Sequence, residues 1–243
     1  MVLTFLSTPY RLDNIYLGSE YNNSEVLEAL SLYQTNYYIS DNSALTIAKA
    51  LKEGKVVAYF NGRMEYGPRA LGNRSIFVSA KDPAINQTLN EKLQRSEFMP
   101  FAPIVLKEKE SNYFLDLDSK HNCTRFMTIA TNVTSKALKD IPAAVHVDGT
   151  ARFQSLTKEQ NPVIYEMLKI YYELTGVPAV INTSFNMHEE PIVESPQDAI
   201  KCFQKGHLDM LVIGNYVLER EQEKTSEINK TQIDLINTLA RCT

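Results

Sequence analysis

A mixed α/β fold is predicted by three features of the sequence. Segments with the two-residue apolar period of buried strands interleave with segments of the 3.6-residue period of amphipathic helices throughout residues 23–220. The helical segments carry start and stop residues at their ends. No Pro-, Gly- or Ser-rich linker and no internal repeat divides the stretch, so a single domain is expected over 23–220. An extended arm precedes it at 1–22, and a polar, charged trailing helix or tail follows at 221–243.

The elements follow in order. The first helix begins within YLGSEYNNSEVLEAL, with Asn23 or Ser24 as cap and Val26, Leu27 and Leu30 on one face. The second, SDNSALTIAKALKEGK, offers Asp41, Asn42 or Ser43 as cap, an apolar stripe at Leu45, Ala48 and Leu51, and Gly54 as stop. KVVAYF at 55–60 is β-branched and aromatic and reads as a buried strand; RSIFVSA reads as another. DPAINQTLNEKLQ is a helix with Pro83 near its first turn, where a missing N–H costs nothing. PFAPIVL is a strand, ESNYFLDL a short helix or turn, and RFMTIATNV an alternating strand. PAAVHVDGTARFQSL reads as strand, turn and strand. NPVIYEMLKIYYELTG is the longest amphipathic helix, stopped by Gly176, and it feeds the buried strand VPAVINTSFN. SPQDAIKCFQKG is a helix capped by Ser195 with Asp198 three residues on, and LDMLVIGNYVLE closes with strands.

The 243 residues hold 25 Lys and Arg against 29 Asp and Glu, a net charge of −4. That balance argues against a surface that coats DNA or RNA, so an anion site has to be a local concentration of arginine. Cys123, Cys202 and Cys242 form no CxxC pair, which disfavours structural zinc and a disulfide framework and fits a reducing cytoplasm. No run approaches the ~18 apolar residues of a membrane span, and no basic segment precedes the apolar start as in a signal peptide. The four histidines, His121, His146, His188 and His207, lack HxxxH or HExxH spacing, so no metal site is expected. A GxSxG elbow is absent as well.

Three segments carry the chemistry. GRMEYGPRALGNRSIF at 62–77 places Arg69 and Arg74 between two strands, among glycines that allow backbone N–H groups to approach a ligand. Guanidinium forks match phosphate or carboxylate and stay charged at any working pH. Two readings are open: the arginines pair with Glu65, Glu91 or Glu97, or they await an anion. It is no Walker loop, since the Gly-Lys-Ser/Thr ending is missing. NTSFN at 182–186 lies where a buried strand ends, the side on which open α/β sheets collect ligands. Ser184 and Asn186 alternate with Phe185 and share a direction, either toward a ligand or toward their own turn. Arg152 follows the Gly149 turn in HVDGTARFQS.

Taken together and in this order, YLGSEY, GKVVAYFNGRMEYGPRALGNRSI, EFMPFAPIVL, HVDGTARFQSL, TGVPAVINTSFN and EPIVESPQDAI resemble the carboxy-terminal domain of NodU/CmcH-type O-carbamoyltransferases, over about residues 16–219. The resemblance implies a YrdC-like twisted mixed sheet flanked by helices. It implies use of carbamoyl phosphate and ATP with Mg²⁺ to form carbamoyl-adenylate, whose carbamoyl group passes to an acceptor hydroxyl. By motif, Arg69 and Arg152 take the catalytic role. Asn73, Arg74, Lys92, Arg95, Asn182, Ser184 and Asn186 bind substrate or nucleotide. Two positions depart from the family pattern. Met99 stands where many relatives have arginine before PFAP, with Arg95 or Lys92 nearby as substitutes, and Glu189 stands where glycine is usual. The resemblance also implies a partner: a Kae1-like domain, in cis or in trans, with iron ligands and the acceptor site, none of which lies in this sequence. The alternative is a phosphate- or nucleotide-binding module without complete chemistry.

Overall fold

The computed structural model describes residues 12–94, 101–117 and 121–220. Its first half runs α1 (Asn23–Leu32), β1 (Tyr38–Ile39), α2 (Ser43–Lys52), β2 (Val57–Phe60), β3 (Arg74–Val78), α3 (Ile85–Lys92) and β4 (Ala102–Leu106). Then come α4 (His121–Thr124), β5 (Thr131–Asn132), α5 (Ser135–Asp140), β6 (Thr150–Ala151) and β7 (Gln154–Leu156). The last part holds α6 (Pro162–Thr175), β8 (Ala179–Ser184), α7 (Pro196–Lys205), β9 (Met210–Ile213) and β10 (Tyr216–Glu219).

Eight strands form one mixed sheet in the order β1-β10-β9-β2-β3-β8-β4-β7, and β5 pairs with β6 apart from it. β2 runs parallel to β9 and β4 to β7, whereas β3 is antiparallel to β2, and β8 is antiparallel to both its neighbours, β3 and β4. Successive β2 side chains enter opposite layers. Ala58 and Phe60 pack with Leu30 of α1 and Ile200 of α7, while Val57 and Tyr59 pack with Ile47 of α2 and Leu168 of α6. The unbroken apolar run of β2 is therefore that of a strand buried on both faces. Each such fully buried side chain stabilises the fold by about 1.5–3 kcal/mol.

Helix ends follow local chemistry. Asn42 caps α2, Asn161 caps α6, and Ser195 with Asp198 forms the expected capping box on α7. Gly176 ends α6 in the left-handed conformation. α1 begins one residue earlier than Asn23 or Ser24 would place it: Asn22 is the cap and Glu25 closes its box. Leu27 stays exposed, and Ala29 joins Val26 and Leu30 on the buried face.

Other expectations shift. Of the strand expected over 125–133, only Thr131–Asn132 forms a ladder, with β6, and Val133 adds a single antiparallel bridge to Phe114. Pro142–Ala144 forms a 3₁₀ turn where a strand was expected, and the His146–Thr150 turn closes through His146 N–H to Thr150 C=O. The described end of the amino-terminal arm binds the 61–73 loop through Gly18 N–H to Met64 C=O, Met64 N–H to Ser19 C=O and Tyr66 N–H to Ile15 C=O. The trailing helix expected at 221–243 lies outside the described residues.

Candidate functional site

The loop between β2 and β3 is organised from inside by two buried charges. Oε1 of Glu65, a residue only 4 % exposed, accepts the N–H groups of Leu71 and Asn73, each at 2.7 Å, and that of Arg74 at 3.4 Å. Arg74 is 0 % exposed. Its Nη1 donates to the carbonyls of Asn61, Gly62 and Asn73, its Nη2 to that of Ser19, and its guanidinium lies 3.6 Å from the centroid of the Phe60 ring. The carboxylate thus gathers the loop's donors and the guanidinium gathers its acceptors. Burial pushes the Glu65 carboxyl up, against those N–H groups and Arg74, which pull it down. Burial also brings Arg74 down to about 10, against Glu65, so it remains a cation at neutral pH. Gly72, at φ +123°, makes this possible. A Cβ there would come within 3.1 Å of Asn161 Nδ2 at the start of α6, and its N–H is turned inward to Ser75 Oγ rather than toward a ligand.

Held this way, the loop tip presents Arg69 to a cleft lined by Pro68, Arg69, Ala70, Phe101, Ala102, Met127, Arg152, Asn182, Thr183 and Ser184. The cleft encloses about 70 Å³. Three distant segments meet there because β8 lies between β3 and β4, with Asn182 opposite both Phe77 and Ala102. Arg152 arrives between β6 and β7. Among the described residues no carboxylate lines the cleft, and neither Arg69 nor Arg152 makes an ion pair. Arg152 Nε is buried with no hydrogen-bond partner. Burial, and then the neighbouring Arg69 charge, pull the Arg152 pKa below the ordinary guanidinium value. Two like charges turned toward one concavity repel, and an anion between them relieves that repulsion.

Of the expected site residues, the fold brings together Arg69, Arg152, Asn182 and Ser184. The others are drawn elsewhere. Arg74 is a correction: it faces inward because its donors satisfy four backbone carbonyls. Lys92 is another, since it binds the His207 carbonyl and pairs with Asp209 at 3.2 Å, joining α3 to the start of β9. Asn73 donates to the Arg63 carbonyl and accepts from Asn161, so its amide stitches loop to helix. Asn186 lies behind the cleft rather than in its wall, accepting from Ser184 Oγ at 2.6 Å and donating to the Glu190 carbonyl. Arg95 and Met99 lie outside the described residues. Glu189 adopts φ +62°, the conformation that favours glycine, so the backbone shape survives the departure from the family pattern.

Sequence reasoning missed Thr183 and Met127 as wall residues and Glu65 as the loop's internal anchor. Glu65 was considered only as a direct partner for arginine; its contacts with backbone N–H groups leave no residue-type signal. Roomier concavities lie elsewhere: about 440 Å³ beside Lys107, Arg125 and Ser155, and about 810 Å³ along α7 beside Glu190 and Lys201. Both carry carboxylates in their walls, Asp13 and Glu159 in the first and Glu190, Glu194 and Asp198 in the second. Among the described residues no cluster of three or more His, Cys, Asp or Glu could hold a metal ion, and no helix is long and apolar enough to cross a membrane.

Comparison with known proteins bears on the family and the fold. The family described as "Carbamoyltransferase C-terminus" matches residues 48–220. An uncharacterized protein of Methanocaldococcus jannaschii is 36% identical over 216 residues, covering 86% of this chain and 41% of its own length. Nodulation protein NolNO of Sinorhizobium fredii is 33% identical over 93% of this chain and 34% of its own. The chain therefore spans at most about two fifths of these relatives. Among solved structures, full-length HypF in its phosphate- and nucleotide-bound form superposes with TM-score 0.50 at 21% identity, covering 72% of this chain and 25% of HypF. Pyrococcus abyssi Sua5 complexed with L-threonine gives 0.50 at 13%, covering 71% of this chain and 46% of Sua5. At such identities the likeness concerns fold, which is the YrdC-like α/β architecture.

Proposed function

The chain belongs to the carbamoyltransferase C-terminal family, and from that premise we propose that its arginine-lined cleft binds carbamoyl phosphate and ATP and forms carbamoyl-adenylate. One observation carries the reading: Arg69 and Arg152 share a concavity with no carboxylate among the described residues of its wall. Permanent, delocalised charge of this kind suits phosphate oxygens. Water first cleaves carbamoyl phosphate to carbamate and inorganic phosphate. A carbamate oxygen then attacks the α-phosphorus of ATP, the bond to the β-phosphate oxygen breaks, and pyrophosphate leaves. Negative charge builds at the α-phosphorus, where preorganised guanidinium groups lower the barrier. Carbamate is itself the nucleophile, so the chain's task is positioning and neutralisation. Ser184 Oγ, oriented by Asn186, supplies a further polar contact at the strand end.

The enclosed 70 Å³ suits a carbamoyl phosphate-sized head, and a nucleotide would extend beyond it. Mg²⁺ enters as part of the Mg-ATP substrate, since the cleft wall offers it hydroxyls and no carboxylate. Transfer to an acceptor hydroxyl requires the Kae1-like domain proposed as partner.

The test is carbamoyl phosphate-dependent release of pyrophosphate from Mg-ATP by the purified chain, alone and mixed with that domain. Release above background in either form supports the reading; background rates in both overturn it. A second reading, a binding module without turnover, is favoured by the limited share of its relatives that the chain covers. Calorimetric binding of phosphate or nucleotide without pyrophosphate release would select it.

A further inference from the structure

We propose that Asn182 is a specificity-determining residue, whose Oδ1 accepts a hydrogen bond from the amino group of carbamoyl phosphate and so distinguishes it from acyl phosphates of the same shape. The inference rests on the carbamoyl phosphate reading above and adds the group that recognises the carbamoyl end.

Asn182 lines the cleft, is 2 % exposed, and its Oδ1 is buried without a hydrogen-bond partner. Its Nδ2 is fully engaged, donating to Gln154 Oε1 at 2.8 Å and to the Ala70 carbonyl at 3.3 Å. Gln154 is oriented in turn, since its Nε2 donates to the Leu71 carbonyl at 2.9 Å. Both ends of this relay are backbone carbonyls, which can only accept. Turning either amide over would set oxygen against oxygen, so the orientation follows from chemistry alone. The relay thus leaves Asn182 one free function: an acceptor.

That acceptor is out of place in a pure phosphate site. The phosphoryl oxygens of an acyl phosphate dianion carry no hydrogen to give it, and an amide oxygen beside them is repulsive. Arg69 and Arg152 supply the donors for an anion, and Asn182 calls for a donor on the same ligand. Carbamoyl phosphate has that combination: anionic oxygens at one end and an NH₂ at the other. Acetyl phosphate has a methyl in its place and would leave Oδ1 buried and unpaired, a mismatch that sites built around a hydrogen bond reject strongly. Ala70 and Leu71 belong to the loop that presents Arg69, so the relay also ties the acceptor's position to the arginine's.

The experiment is isothermal titration of the full chain with carbamoyl phosphate, acetyl phosphate and inorganic phosphate. The expected result is roughly tenfold to a hundredfold tighter binding of carbamoyl over acetyl phosphate. Asn182→Ala should bring the two within about twofold, whatever it does to the affinity they share. Asn182→Ser, smaller but still polar, provides a second variant should Ala unfold the sheet, and the wild-type ratio needs no variant. Equal binding of carbamoyl and acetyl phosphate by wild type, or a ratio that survives in Asn182→Ala, overturns this assignment while leaving the phosphate site intact. Failure of all three to bind overturns the cleft reading itself, and this assignment with it.

Discussion

Arg69 and Arg74 lie in one loop, on the same residue type, and the fold gives them opposite surroundings. Arg69 is exposed at the loop tip, faces a second guanidinium and has no carboxylate partner among the described residues. Arg74 is wholly buried, has four backbone carbonyls as acceptors and is coupled to Glu65. A buried cation is tolerated when a carboxylate and several hydrogen-bond acceptors offset its desolvation, as Glu65 and the four carbonyls do here. An unanswered cation persists near the surface, where water shares the cost until a ligand arrives. The contrast teaches that an arginine-rich motif can hold both a ligand-facing charge and the internal fastening that keeps that charge in place.

The contrast can be broken by experiment. Arg74→Met should destabilise the fold by about 3–5 kcal/mol in urea denaturation, because it strands the Glu65 carboxylate and four carbonyls. Arg69→Ala should change stability by no more than about 0.5 kcal/mol. It should nonetheless reduce pyrophosphate release about 10²–10³-fold, roughly 2.7–4 kcal/mol of transition-state stabilisation. If the two variants melt alike, the distinction between them is wrong. Glu65→Gln keeps an acceptor for the Leu71 and Asn73 N–H groups but removes the charge facing Arg74. It should cost about 1–3 kcal/mol, with faster hydrogen exchange at those two amides and unchanged exchange in β9.

Two changes sharpen the comparison from the side of the fold, since neither touches the cleft. Asp198 is raised by burial but lowered more by its bonds to Ser195, leaving it below the ordinary carboxylate value of 3.8. A depressed folded pKa means its stabilisation is complete above that value and drains as pH falls through the lower one. Asp198→Asn should therefore cost about 1 kcal/mol at neutral pH, and the difference from wild type should vanish in acid melts. Glu189→Gly should gain up to about 1 kcal/mol by relieving the left-handed backbone, partly offset by glycine's greater freedom when unfolded. Thermal denaturation reads both, and pyrophosphate release should follow wild type in each.

Much of the scaffold was legible in the residues. Helices α2, α6 and α7 announced themselves by caps and by a 3.6-residue stripe, because both signals are local. β2 did so by uninterrupted β-branched and aromatic residues, the mark of a strand buried on both faces. RFMTIATNV misled because its alternation suits a strand, yet a strand also needs a neighbour, and only its last three residues, Thr131–Val133, have one. Arg69 stood out by residue type among the glycines of its loop, whereas Arg152 and Ser184 gained weight only through the family resemblance. Glu65, Arg74 and the Asn182–Gln154 relay were not legible, since their roles depend on backbone groups far along the chain.

What the sequence determined by itself was therefore the alternation of elements, most of their ends, and an arginine supply set within an otherwise acidic chain. Periodicity, capping and composition are properties of neighbours along the chain. What only the tertiary structure decided was which arginine faces the cleft, which is locked inside, and that an amide oxygen stands free beside the cations. Those outcomes hang on burial and on partners more than eighty residues away, as Gln154 is from Leu71, and burial is settled only once the sheet has closed over its layers.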